Sequence, residues 1–187
     1  MHKVLISMLA LAFVVGCAAT SSEGRLQIGG REVPTLVKSS DVIVVGSILG
    51  EGGIRNIARD PNDIRREHPT LKVLAQEYRV AIESALKGAV AGTIIVTVAR
   101  SYQIQGRDPV VADGFVPLDA NARYVLFLKR HPFEPTLYAI AFEPSRFKLG
   151  TDAVVQSPWS GAASAFPARE AGLFLADVSR AVRAGGN

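Results

Sequence analysis

The sequence predicts a single, mainly β domain that ends in an α-helix. Short runs rich in Val, Ile, Tyr and Phe recur between Gly, Pro and Asp breakers, at residues 41–49, 93–99, 124–128 and 137–142. After Pro167 the apolar spacing changes to that of one helix face. The chain has 187 residues and one cysteine, so it is long enough for a sizeable core and holds no disulfide scaffold.

The chain opens with His2 and Lys3, an apolar run over residues 4–15, and the small residue Gly16. That is the layout of a secretory signal peptide. As a helix the run covers about 18 Å, against roughly 30 Å for a bilayer's hydrocarbon core, so a permanent span is the weaker reading. Cys17 follows at once. Val14-Val15-Gly16-Cys17 resembles the lipobox of bacterial lipoproteins. The resemblance implies removal of residues 1–16 and acylation of the Cys17 thiol, with the new amino terminus as a second acylation point. Two acyl chains hold a protein stably on a membrane where one does so only marginally. The alternative is an ordinary secretory leader followed by a chance cysteine. Ala18 stands after the cysteine in place of Asp, which resembles the outer-membrane signal of enteric-type sorting. The expected location is therefore the bacterial cell envelope, lipid-anchored, on the periplasmic face of the outer membrane in a Gram-negative host. With Cys17 lipidated, the remaining domain has no disulfide, no cysteine-ligated metal and no thiol nucleophile.

Residues 17–30 are small, polar and glycine-rich, and read as a flexible tether with a reach of about 20 Å. Residues 31–187 form one domain. Residues 32–39 suit a turn or two of helix, with Pro34 near its start. Residues 41–49 are a strand. Residues 50–69 hold glycines, prolines and many charges, and read as a long surface loop. Residues 71–86 fit either period: Leu71, Leu74, Tyr78, Ile82 and Ala85 share a helix face, whereas Tyr78, Val80, Ile82 and Leu86 share a strand face. Ile94, Val96 and Val98 alternate on the next strand. Residues 105–122 are loop-like, with Pro109, Pro117 and Asp119 as breakers. Residues 124–128 (YVLFL) are a buried strand, 131–135 (HPFEP) a turn, 137–142 a strand and 147–149 a short one. The closing helix spans about 167–184, with Glu170 near its start and Arg180 and Arg183 near its end, as the helix dipole favours.

The pieces SDVIVVG at 40–46, LKG at 86–88 and YVLFL at 124–128, in that order, resemble the netrin-like domain, an OB-type barrel shared by tissue inhibitors of metalloproteases and small exported bacterial proteins. The resemblance covers roughly residues 33–149. It implies a closed antiparallel OB-type barrel and a strand at 78–86, and it leaves the C-terminal helix outside. The family's inhibitors chelate a protease zinc through an amino-terminal cysteine. Here Cys17 is separated from the barrel by the tether, so that role does not carry over.

No catalytic or cofactor-binding constellation stands out, and the chain reads as non-enzymatic with no cofactor and no bound metal. Gly50-Glu51-Gly52-Gly53 lacks the third glycine of a dinucleotide turn, because Arg55 stands there. No serine at 157, 160 or 164 lies in a GxSxG context. His68 and His131 each precede a proline and read as surface histidines. Asp60, Asp63 and Glu67 match no calcium loop, and Arg59, Arg65 and Arg66 among them oppose a cation. Those arginines with Arg55 make the candidate binding loop: Arg55, Arg59, Arg65 and Arg66 offered to an anionic group or an envelope protein partner. Trp159 reads as a core clamp. The net charge of +4 falls to +3 without Lys3, and no Lys/Arg run interleaves with aromatics, so nucleic acid is excluded as a partner. A weak attraction to anionic headgroups stays open. The expected function is a lipid-anchored binding or structural module, with an inhibitor of an exported enzyme or an envelope hydrolase with a dispersed site as alternatives.

Overall fold

The computed structural model describes residues 32–112, 115–141, 145–151, 154–156 and 168–185; the leader, Cys17, the tether and Trp159 lie outside them. A short helix, α1 (Val33–Ser39), comes first, with Pro34 in its first turn, where a fixed φ and a missing amide cost nothing. Then come β1 (Val42–Asn56), a small hairpin of β2 (Arg59–Asp60) and β3 (Asp63–Glu67), β4 (Leu71–Lys87), β5 (Thr93–Ile104) and β6 (Val110–Val111). The chain continues through β7 (Arg123–Arg130), β8 (Leu137–Ile140), β9 (Arg146–Leu149), β10 (Val154–Gln156) and β11 (Arg169–Glu170) to α2 (Ala171–Ala184).

The long strands close on themselves. β1 pairs with β4, β4 with β5, β5 with β8, β8 with β7, and β7 with β1. All these pairings are antiparallel except β5–β8, which is parallel through Ile95–Leu137, Val96–Tyr138 and Thr97–Ala139. β9 takes over the edge of β7 where β8 leaves it, pairing Leu126 with Arg146 and Arg123 with Leu149.

The continuous apolar runs at the start of β1 and along β7 follow from this closure. Val42, Val44, Tyr124, Leu126 and Leu128 point inside the circuit, against Tyr78, Val80, Val96 and Tyr138. The residues between them, Ile43, Val45, Val125 and Phe127, point outward to Leu36 of α1 and to Phe174 and Val178 of α2. A strand covered on both faces needs apolar side chains at every position, whereas one with a wet face alternates. Phe127, Phe147 and Phe174 meet edge-on or tilted, with centroids 4.9–6.5 Å apart, and tie β7, β9 and α2 together.

The pieces SDVIVVG and LKG also have physical reasons. A Cβ on Gly46 would lie 2.7 Å from the Ala81 carbonyl oxygen and 2.8 Å from Val80 Cγ1, so β1 passes β4 there without room for a side chain. Gly88 has φ +76°, and a Cβ on it would meet the Asp41 carbonyl at 2.9 Å. Beside it, the Lys87 ammonium donates to the carbonyls of Val37 (2.8 Å) and Ser40 (2.6 Å), and the Ser40 hydroxyl donates to the Leu36 carbonyl (2.7 Å). A cation at a helix C-terminus is favourable, and here it satisfies carbonyls that the short α1 leaves open. Asp41 accepts from the Arg130 amide and from Lys129, each at 3.0 Å. Burial raises the Asp41 carboxyl, but those two donors outweigh it and hold the group below its ordinary range.

Residues 71–86 are strand throughout, the outcome that their two periods left undecided. Leu86 sits apart from Tyr78, Val80 and Ile82: they line the interior, while Leu86 packs on the helix side. Pairing with β1 skips Leu86 and Glu83, and each skipped residue re-aims the side chains around it. Residues 50–69 differ from the expected loop. β1 runs on to Asn56, absorbing Leu49 and the Gly52-Gly53 pair as bulges opposite β4, and residues 59–67 form the β2–β3 hairpin. The Gln76 amide fills the second bulge by donating to the Gly52 and Gly53 carbonyls at 2.9 and 3.3 Å. Glycines that read as loop signals are here strand irregularities held by a long partner strand. α2 starts at Ala171 rather than near 167, because Arg169–Glu170 pairs with β10 and the Glu170 carboxylate caps the Gly172 and Leu173 amides at 2.7 and 2.9 Å.

Phe127→Ala should cost about 3–5 kcal/mol in denaturant unfolding, as a large-to-small change at a fully buried site. Gly46→Ala, which adds a single methyl group, should cost about 1–3 kcal/mol by overpacking β1 against β4. An unchanged midpoint in the second variant would show that the two strands separate freely.

Candidate functional site

Two connections that are far apart in sequence meet on the surface of the circuit. One joins β1 to β4 and carries the β2–β3 hairpin. The other is the 131–136 turn between β7 and β8. Arg55, at the end of β1, donates through Nε to Glu77 at 2.6 Å and through Nη1 to both oxygens of Glu134, at 2.6 and 2.8 Å. Arg65, on β3, lies over the Phe133 ring at 5.9 Å. These contacts form a clasp between hairpin and turn.

The clasp is built from below by side chains that bond to backbone. Asn56 accepts the amides of Ala58 and Val73 on its Oδ1 (both 3.1 Å) and donates to Glu67 (3.0 Å), fastening the hairpin to β4. His68 Nδ1 accepts the amides of Thr70 (3.3 Å) and Leu71 (3.0 Å). His131 Nδ1 accepts those of Phe133 (3.3 Å) and Glu134 (3.1 Å). Both His-Pro pairs therefore build the same turn, with the ring nitrogen as acceptor for the amides two and three residues on. Neither histidine is the plain surface residue expected from sequence; the His131 side chain is only 16% exposed. Burial pushes the His131 imidazole below its ordinary value, Glu134 works the other way, and Arg59 and Arg55 add to the lowering.

The four arginines of the candidate loop have separate fates. Arg55 is consumed by Glu77 and Glu134. Arg59 donates to the carbonyls of Asn56 and Ala58 at 3.1 and 3.2 Å. Arg65 stacks on Phe133, and Arg66 reaches Asp63 at 3.3 Å while staying largely in water. Arg55 and Arg59 are brought near His131, while Arg65 alone lies over the exposed Phe133 ring, so the four do not form a cradle for a free anion. Asp60 and Asp63 accept the amides of Asn62 and Arg65, and among the described residues no three acidic, histidine or cysteine side chains are grouped to hold a metal. No family model matches this chain, and no curated protein does. Glu77, His131, Phe133 and Glu134 are the members that sequence reasoning missed, and the repeated His-Pro dipeptide was the available signal.

A second polar cluster lies between the circuit and α2. Glu83, the residue that β4 bulges out, accepts from Ser47 Oγ at 2.6 Å and from Arg123 at 2.5–3.0 Å. It borders a cavity of about 320 Å³ lined by Val45, Ser84, Leu149, Thr151, Ala171 and Leu175. A hydroxyl donating to a carboxylate is the start of a catalytic dyad. Here, though, the Arg123 bond, and after it the Ser47 bond, hold the Glu83 carboxyl below its ordinary range. That makes it a weak base, suited to fixing Arg123 rather than to taking a proton.

These groups set the pH response. The His131 imidazole and the Glu83 and Asp41 carboxyls are all lowered in the fold, so each contributes stability that is complete above its ordinary value and lost as pH falls through the folded one. Thermal midpoints should decline in two stages, first below the ordinary histidine value of 6.5, then below the carboxyl values of 4.5 and 3.8. His131→Asn, whose amide oxygen can accept the same two amides without titrating, should flatten the first stage. Glu83→Gln should flatten part of the second. A midpoint constant from pH 7 to below 4 would contradict both.

Proposed function

We propose that this chain is a non-enzymatic, lipid-anchored binding module of the bacterial cell envelope, an OB-type, netrin-like barrel that holds a protein partner at the clasp. The order of the circuit supports the barrel assignment. Its first four strands lie side by side as β7-β1-β4-β5, the fourth returning beside the first as in a Greek key, and β8 closes the ring as the fifth. Five-stranded Greek-key barrels of the OB type bind ligands with the loops after their first and fourth strands. In this chain those loops are the hairpin segment and the 131–136 turn. That the hairpin meets the turn through Arg65–Phe133, next to the Arg55–Glu134 bond from the end of β1, is the observation that carries the reading.

The surface at the clasp favours a protein. Phe133 is 47% exposed, beside a guanidinium, and aromatic and arginine side chains are the residues enriched at protein interfaces. An inhibitor of an exported enzyme is one version of this reading, with the enzyme as the partner. The lipid anchor at Cys17 rests on Val14-Val15-Gly16-Cys17 and on the tether that follows.

The two halves are tested separately. Cys17→Ser should abolish fatty-acid labelling in a lipoprotein-competent bacterium and leave unprocessed precursor; a wild-type chain that takes up no label defeats the anchor. Cross-linking in intact envelopes should capture a partner whose yield drops several-fold in Phe133→Ala/Arg65→Ala while the melting curve stays in place. Equal capture by the double variant would remove the clasp as the binding surface.

A further inference from the structure

The outer face of α2 has no role in the core. Ala171, Phe174 and Val178 are its buried residues. On the opposite side Leu173, Ala176, Arg180 and Arg183, spaced at three and four residues, form one exposed stripe. Leu173 is 67% exposed and the Arg180 side chain 73%. The apolar face of α2 is spent on the core, so what the stripe offers a membrane surface is one apolar anchor, Leu173, and two cations that can lie among lipid phosphates.

The chain's own path brings a membrane to this stripe. The first described residues, Glu32, Val33 and Pro34, line one wall of a groove of about 440 Å³ whose other wall is Arg169, Asp177, Arg180, Ala181 and Ala184 of the α2 region. The segment from Cys17 thus joins the domain alongside the stripe. Roughly 14 residues of small, polar tether reach about 20 Å, which keeps the face within a protein radius of the anchor. At such tethering the effective concentration of the surface is millimolar, so weak contacts suffice.

We infer that the Leu173–Arg180–Arg183 stripe of α2 docks the domain on an anionic phospholipid bilayer. The inference rests on the lipid-anchor reading of Cys17. Charge complementarity is local rather than global. Asp177 takes Arg180 at 2.9 Å and Arg169 at 3.6 Å, and the Glu170 carboxylate is spent on capping α2. Arg183 is in no ion pair with a described residue, which leaves it available to lipid phosphates. Each arginine near an anionic surface should favour the docked state by about fivefold, and salt should weaken it. With its α2 face against the bilayer, the domain would keep a fixed orientation for the clasp.

The chain has a single cysteine, so the processed chain from residue 17 can be coupled through Cys17 to a maleimide lipid in vesicles. This reproduces the tether whether or not cells acylate it. Amide exchange is then compared on pure phosphatidylcholine and on vesicles with about one third phosphatidylglycerol. Amides of 173–183 should exchange several-fold more slowly on the anionic vesicles, and about 0.5 M salt should reverse the effect. Arg180→Glu/Arg183→Glu and, separately, Leu173→Asp should abolish it while leaving exchange without vesicles unchanged. Equal exchange on the two vesicle types, or protection retained by the arginine double variant, overturns the inference. Protection produced by inorganic phosphate on neutral vesicles also overturns it, because the site would then take a free anion. A wild-type Cys17 that gains no fatty acid in cells defeats the anchor reading instead, and the coupled chain still reports on the stripe.

Discussion

The pairing of β1 with β7 is the constraint on which the rest of this structure depends. It closes the strand circuit, and it places both strands between two apolar layers, the interior of the ring and the α1/α2 cover. Everything nearby is arranged to let the two faces coexist. Gly46 removes a side chain where β1 presses on β4. Glu83 and Leu86 are skipped in the pairing, so that β4 serves the interior along one stretch and the helices along another. Three phenylalanines then join the outer layer to the sheet. A domain without disulfides gains most of its stability from such burial, at about 25 cal/mol per Å² of apolar surface removed from water.

The same closure positions the candidate site. Because β7 must return beside β1, the turn that follows it is carried across to β8, and β8 can pair with β5 only in parallel. That crossing brings Glu134 over to Arg55 and Phe133 under Arg65. Rigid strands thus hold two loops in register, and the loops carry the exposed chemistry. The two His-Pro turns add stiffness, since in each one ring nitrogen organises two amides. A partner surface on such loops is preorganised, which lowers the ordering cost of binding.

Charge in this protein is mostly used internally. Arg55, Lys87 and Arg123 each satisfy carboxylates or carbonyls of the domain itself, as do Lys129 and Lys148. The mild positive balance of the sequence therefore says little about partners. Among the described residues, Arg65 lies over the Phe133 ring and Arg183 on α2 is in no ion pair.

The amino-acid sequence by itself determined the strands at 42–49, 93–98 and 124–128 and the final helix, because their burial is written in uninterrupted or periodic apolar residues. It also marked Gly46 and Gly88 within short pieces whose spacing is governed by close backbone approach. It left residues 71–86 open between helix and strand, since one set of apolar residues there fits a helix face, another fits a strand face, and Tyr78 and Ile82 belong to both; the long pairing with β1 and β5 decides for strand. It misread 50–69, because Gly, Pro and charge signal a loop locally, whereas bulges against β4 and the side chain of Gln76 make the same residues strand. The site was the least visible part. Arg55, Arg59, Arg65 and Arg66 could be named, but Glu77, Glu134 and Phe133, the partners of Arg55 and Arg65, lie up to 79 residues away. No local pattern encodes such pairings, because only closure of the strand circuit brings those side chains within hydrogen-bonding reach.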